Sequence, residues 1–494
     1  MSDSADPFAF AKLPRGVRDE LSPADRPSRG MWAQGSQLRG HPKWHDGPAS
    51  LIVGRDDRGW LCLDDDRHAF TVAGSRTGKG LSVILPNLVH YGGSVCVLDP
   101  KGENATLTAE RRGDGRGVPV GGMGQEVHVI DPFGQARVHQ SYRSGFNPLA
   151  DLNPQDPLFV DECYTLADAL VVAPAKDDND HWNSMARFVL RGVIAWVASA
   201  PEGRRDLVEV RRLVNAGPDD WSAVQDDMFE NPERAYGVPA EMAAAVASMG
   251  EEERGSVFSS VRKSVMFLSV PKMEECFSDT SRQPDLMTWK HGGQSVYLCL
   301  PASLMGQHAR FFRLFLNRLF FAVERDPSKP SIPALLLLDE MHVLGHMSQL
   351  ETAVALLAGY GLKVWSIWQD LNQLKAIYGE KWQSFIGNAS LFQSFGLNDL
   401  MSLQHVSDSL GPSTILNETS SELTVGQAVR GFSGKSYAVA SAPLLSPPEV
   451  AFHFSRQSGN QAVLYPGAAP IWMRRVSYFD EDFKSYGGGP REKK

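Results

Sequence analysis

Nowhere in the sequence do ~20 consecutive apolar residues occur, the length a helix needs to cross a bilayer. The most apolar helical stretch, Phe311 to Val323, is interrupted by Arg313, Asn317 and Arg318, which suits an amphipathic helix of a water-soluble fold. The amino-terminal stretch MSDSADPFAFAKLPRGVRDELSPADRPSRG lacks the apolar core of a secretory signal, and its polar, proline-rich composition reads as a mobile arm. Cysteine is sparse: five residues (62, 96, 163, 276 and 299), with no C-x-x-C pair. Cys62, Cys96 and Cys299 lie in apolar, strand-like runs, so the five read as buried thiols of a reducing cytosol, with neither a metal site nor a disulfide framework supported by the spacing. His41 and His45 are four apart in HPKWH, but Pro42 keeps them off one helical face and no further ligands follow. An excess of basic charge is also missing, since 49 Lys and Arg face 58 Asp and Glu for a net −9. Residues 176–289 hold 13 of the former and 20 of the latter, so this stretch carries −7 of that charge.

What is present is a series of apolar runs ending in chemistry. HAFTVAG, His68 to Gly74, reads as a short buried strand, and GLSVILPNLV after Lys79 has the apolar spacing of a helix start. Between them AGSRTGKGLS approximates the phosphate-binding pattern G-x-x-x-x-G-K-[ST], with Ala73 at the first Gly and Gly80 at the Ser or Thr. A strand, a glycine loop and a helix N-terminus make an anion site from backbone N–H groups. Gly74, Ser75, Arg76, Thr77, Gly78, Lys79, Gly80 and Leu81 are therefore the expected nucleotide cradle, with Lys79 as its point charge. SIPALLLLDEMHVLG, Ser331 to Gly345, places four consecutive Leu before Asp339 and Glu340, a run suited to a parallel strand covered on both faces. Asp339 is assigned to the Mg²⁺ shell and Glu340 to polarising water. GLKVWSIWQDLNQL ends a further apolar run at Gln369, placed to sense a γ-phosphate, position water, or simply start a loop. GGSVCVLDPKGE and EVHVIDPFG repeat the strand-then-acid form. Such alternation predicts an open, mostly parallel α/β sheet with ligands at the strands' carboxyl ends.

The set AGSRTGKGLSVILPNL, VLDPKGE, FNPL, LLLLDEMHVLG, GYGLKVWSIWQDLNQLKAIYGEKWQSFIGNA and FGLNDLMSLQHVSDSLG resembles the coupling-protein ATPases of type IV secretion and conjugation. The likeness runs from about Gly47 to about Phe483, and the segment around Gln369 is its most specific part. It implies a RecA-like P-loop ATPase with an all-α insertion, catalytic Lys79, Asp339, Glu340 and Gln369, and ATP with Mg²⁺ as cofactors. It also implies a homo-hexameric ring that passes single-stranded DNA or secreted protein to secretion machinery at the inner membrane. Gly after the P-loop Lys is common in that family, so Gly80 fits it, though the hydroxyl that would ligate Mg²⁺ is missing there. Two features depart from the family. The usual amino-terminal membrane helices are absent, which implies a cytoplasmic variant brought to the membrane by a partner. In APLLSPPEV the family's usual Arg is replaced by Ala442; no Arg lies between Gln369 and Arg430, leaving Arg310 and Arg313 as candidates for a trans-acting finger.

The expected organisation is a polar arm over 1–46, a nucleotide-binding domain over 47–175 and 290–484, an all-α domain over 176–289, and a flexible tail over 485–494. Within the acidic all-α stretch, Arg187 and Arg191, four apart, and the cluster Arg204, Arg205, Arg211 and Arg212 are either available to DNA or merely solvated. The acidic surface itself is either solvated or a face for a basic cargo. GPSTILNETSSELTVGQAVRGFSGKSYAVAS is expected to be a mobile polar loop. Two functions fit: a motor that uses ATP to translocate cargo, and a cargo receptor whose nucleotide site is weak or structural.

Overall fold

The structure, a computed structural model, describes residues 32–33, 35–172, 180–420 and 435–489. Thirteen strands are described: β1 (Leu51–Asp56), β2 (Gly59–Leu63), β3 (His68–Ala73), β4 (Val95–Leu98), β5 (Glu126–Ile130), β6 (Gln294–Leu298), β7 (Ala334–Leu338), β8 (Leu362–Trp368), β9 (Ala389–Phe395), β10 (Pro412–Ser420), β11 (Lys435–Pro443), β12 (Asn460–Leu464) and β13 (Ile471–Arg474). Eleven of them form one sheet in the order β2-β1-β13-β12-β9-β3-β8-β7-β4-β6-β5. From β9 to β5 every pairing is parallel, whereas β12, β13, β1 and β2 extend the sheet antiparallel beyond β9. This is the mostly parallel α/β architecture expected from the strand-then-acid series.

The four leucines of β7 show why a continuous apolar run was needed. Successive side chains point to opposite faces. Leu336 and Leu338 enter one core with Phe70, Val72, Cys96 and Leu98, while Leu335 and Leu337 enter the other with Ala69, Val95, Val97 and Trp365. Helices cover both faces, so neither parity has a place for a polar residue. All five cysteines are unpaired and buried, as their apolar settings implied.

Between β5 and β6 the described residues contain no strand. The helices Phe159–Leu170, Asp180–Ala198, Leu207–Val214, Pro218–Glu230, Val238–Ser248, Glu251–Val265 and Pro271–Ser278 pack there around Leu190, Val193, Met242, Val261 and Phe277. The stretch Phe311 to Val323 is helical, as expected, within the longer helix Met305–Arg325. Its interrupting residues Arg313, Asn317 and Arg318 are all at most 5% exposed. Each has an internal partner: Arg318 pairs with Glu162, Asn317 donates to the Thr165 carbonyl at 3.0 Å, and Arg313 donates to carbonyls at Leu344 and His346. Burial of these side chains is tolerated because each makes at least one such bond, although Arg313 Nε and Asn317 Oδ1 have no partner. No described helix is long and apolar enough to cross a membrane.

Two expectations change. Residues 35–46 were read as part of a mobile arm, yet they contain the helix Gly35–Arg39 and bury Leu38 and Trp44 in the same core as β1. The expected polar loop forms, over Pro412–Ser420 and Lys435–Pro443, an antiparallel ribbon of nine paired positions; its tip, 421–434, lies outside the described residues. Residues 1–31 and 490–494, which hold most of the expected arm and half of the tail, lie outside them as well.

Candidate nucleotide site

β3 runs between β8 and β9 at the middle of the eleven-stranded sheet, and the chain leaves its carboxyl end through Gly74–Gly78 into a helical segment starting at Gly80. The first turn is π-type, Gly80–Ile84, and Leu85–His90 continues as α-helix. Thr77 Oγ1 donates to the Gly74 carbonyl at 2.6 Å, which closes the loop on itself. Gly78 has φ +94°, a region an L-residue rarely enters, so this glycine is required by the loop's path. Arg76, also at positive φ, is exposed. Gly74 faces Gly396 at the end of β9, where a Cβ would sit 2.2 Å from the Gly396 carbonyl oxygen.

Opposite the loop, β7 delivers its two acids. Lys79 Nζ lies 3.8 Å from Asp339 Oδ1; the lysine side chain is 9% exposed, and its ammonium has no hydrogen-bond partner. Burial pushes the Asp339 carboxyl above its ordinary range, opposed by the Lys79 charge and reinforced by Glu340. Glu340 has φ 56°, in the left-handed region, a strain that costs about 1–3 kcal/mol and recurs at functional positions. Its Oε2 accepts from Gln369 Nε2 at 2.7 Å and lies 3.4 Å from His342 Nδ1. Gln369 can reach because β8 pairs with β7, Leu338 opposite Ser366, and ends one residue before it. One step along the other way, β4 sets Leu98 opposite Leu338, so Asp99 stands level with Asp339. Asp99 is 1% exposed, accepts from the Ala105 amide at 2.8 Å, and is pushed up to about 7 by burial.

The cradle, Lys79, Asp339, Glu340 and Gln369 thus occupy one edge of three adjacent strands, while Ser75 and Arg76 face solvent and Leu81 packs beside Val476 and Tyr478. A buried ammonium without a hydrogen-bond partner, a glycine loop leading into a helix, and a carboxylate within 4 Å fit an anion accompanied by a cation. A family model described as Type IV secretory system Conjugative DNA transfer matches residues 19–493.

The chain belongs to that family. The conjugal transfer protein TraG of Agrobacterium fabrum (strain C58 / ATCC 33970) is 25% identical over 460 residues, covering 88% of this chain and 66% of its own. Protein VirD4 of the same strain is 25% identical over 448 residues, covering 85% and 60%. The chain therefore spans about two thirds of the length of the curated relatives it matches. Among solved structures, the coupling protein TrwBdeltaN70 in complex with sulphate matches with TM-score 0.67 at 14% identity, over 90% of this chain and 93% of that one. TrwB bound to a non-hydrolysable ATP analogue matches with TM-score 0.66 at 14% identity, over 94% and 95%. At that identity the likeness is one of fold.

Within this family member the structure adds a residue that sequence patterns missed. Arg475, just past β13, donates from Nη1 to the Thr77 carbonyl at 2.8 Å and from Nη2 to the Arg456 carbonyl at 2.8 Å. Its guanidinium lies 4.5 Å from the centre of the Phe395 ring. It fixes the Thr77 carbonyl and, through the planar peptide, the orientation of the Gly78 amide. Of the two candidate finger residues, Arg313 is buried behind the segment after Glu340, bound to Leu344 and His346, and cannot reach another molecule. Arg310 Nε donates to the Leu170 carbonyl at 2.6 Å. The basic residues of the helical region are mostly paired within it: Arg187 with Asp168, Arg204 with Asp206, Arg212 with Glu209, and Arg205 with the Ala198 carbonyl.

Proposed function

We propose that this chain is an ATP-driven coupling motor of a type IV secretion or conjugation system, moving DNA, with or without attached protein, toward the channel. The observation that carries the reading is the convergence of Lys79, Asp339, Glu340 and Gln369 on the carboxyl edge of β3, β7 and β8. Relatives named for conjugal transfer and TrwB structures bound to ADP with Mg²⁺ support it.

In this reading the loop amides over 74–81 hold the phosphates and Lys79 swings from Asp339 to the terminal phosphoryl group. Asp339 would hold Mg²⁺ through water, and the ion, when bound, neutralises charge on the phosphate oxygens. Glu340 orients and polarises the attacking water, and Gln369, already bonded to Glu340, ties that carboxylate to the neighbouring strand. Gln369 can then respond when the terminal phosphate leaves. The acidic helical region is assigned to cargo recruitment and the ring's channel to single-stranded DNA. Assembly is taken as a homo-hexamer acting in the cytoplasm beside the inner membrane.

ATP turnover with and without single-stranded DNA tests this. The parent should be stimulated by DNA, and the stimulation should fall steeply as salt rises because phosphate contacts release counterions. Lys79→Ala should lose nucleotide binding, whereas Glu340→Gln should bind ATP and fail to turn it over. Equal, negligible turnover in all three proteins, together with intact binding of a secreted protein, would instead identify a receptor whose nucleotide site is structural.

A further inference from the structure

The far end of the P-loop helix gathers three potential metal ligands from separate parts of the chain. Cys62 lies in β2 and is 3% exposed. His90 is the last residue of the helix Leu85–His90, and Asp46 lies in the turn before β1. Their ligand atoms all fall within 4.8 Å of one another. The His90 Nε2 to Asp46 Oδ1 distance is 3.2 Å, close to the separation of two ligands on one tetrahedral ion. Ser50 Oγ, fully buried, stands 3.3 Å from the same nitrogen. The His90 ring is further oriented by the backbone of Gly47 and by Trp60 packed edge-on at 5.9 Å, the kind of support that fixes a ligating imidazole.

We propose that Asp46, Cys62 and His90 form a metal site for Zn²⁺ or a similar borderline-soft divalent ion, with water at the fourth position. Thiolate with imidazole selects this class over Mg²⁺ or Ca²⁺, which prefer all-oxygen shells. The charges close: a dication replaces the thiol proton, which leaves to solvent, and the thiolate and carboxylate together neutralise the ion. The site would staple the helix that begins at the P-loop to the β1–β2 hairpin. It lies at the end of that helix remote from Lys79 and is independent of the motor reading.

The test uses the full chain and Co²⁺ as the probe ion. Expected are one tightly bound Co²⁺ per chain, a thiolate-to-metal charge-transfer band, and displacement of both by Zn²⁺. Cys62→Ser should abolish the band; the other four thiols are buried elsewhere and cannot supply it. Asp46→Asn changes a side chain that is 67% exposed, so the metal-free fold should melt unchanged while Co²⁺ affinity falls by more than about 100-fold, beyond the loss typical of outer-shell changes. A saturating Co²⁺ titration without the band, a band that survives Cys62→Ser, or an affinity unmoved by Asp46→Asn would each overturn the assignment.

Discussion

At the scale of single residues, the departures from the usual phosphate-loop pattern are testable one by one. Gly80 is outside the left-handed region, and a Cβ built there meets nothing within 4 Å. Gly80→Ser should therefore fold normally and place a hydroxyl where the loop pattern carries one. The expected outcome is a lower Mg²⁺ concentration for half-maximal ATP binding, read by calorimetry; an unchanged Mg²⁺ requirement would show that position 80 does not face the ion. Asp99 offers a separate readout. Its folded value of about 7 lies above the ordinary carboxylate range, so between about pH 4 and 7 the native state keeps a proton that the unfolded chain has released. Its contribution is most favourable below that window and declines as pH rises through it, by up to about 1.4 kcal/mol per unit. Asp99→Asn, which still offers Ala105 an acceptor, should flatten this part of the stability profile in urea titrations.

Elements carry the next set of consequences. The Arg475 bonds join β13 to the phosphate loop, and hydrogen bonds to a charged group contribute about 1.5–3 kcal/mol each. Arg475→Met should raise the ATP dissociation constant about tenfold or more, and Arg475→Lys, which keeps the charge but loses the two-nitrogen fork, should fall between; equal affinity in all three would remove the clamp from the site. The β10–β11 ribbon should behave oppositely. Its base is pinned where the Leu444 amide donates to the Gly411 carbonyl and Ser407 Oγ to the Leu445 carbonyl, and beyond that it is a two-stranded hairpin, a unit marginal by itself. Replacing 414–441 by a short turn should leave melting and nucleotide affinity unchanged, checked by calorimetry and ATP titration. These elements also show what was legible beforehand. The β7 leucines and the glycine loop announce themselves because strand, turn and acid are contiguous in the chain. The ribbon was missed because Ser, Thr and Gly carry no apolar alternation. Arg475 touches a residue 398 positions earlier, and Asp46, Cys62 and His90 meet only through tertiary packing, so no local pattern could reveal either.

For the whole molecule, the strand order matters more than any single contact. The first strands described, β1 and β2, pair with the rest of the sheet only through β13, the last strand described. β13 in turn reaches the parallel strands through β12, and Arg475 follows it directly. During synthesis, then, the β1–β2 hairpin waits, one edge unpaired, until β13 has left the ribosome. The same stretch completes the wall behind the phosphate loop. A chain in which β13 has not yet docked would consequently possess the phosphate loop, Lys79, Asp339, Glu340 and Gln369 yet hold nucleotide more weakly, because Arg475 is not in place behind the loop.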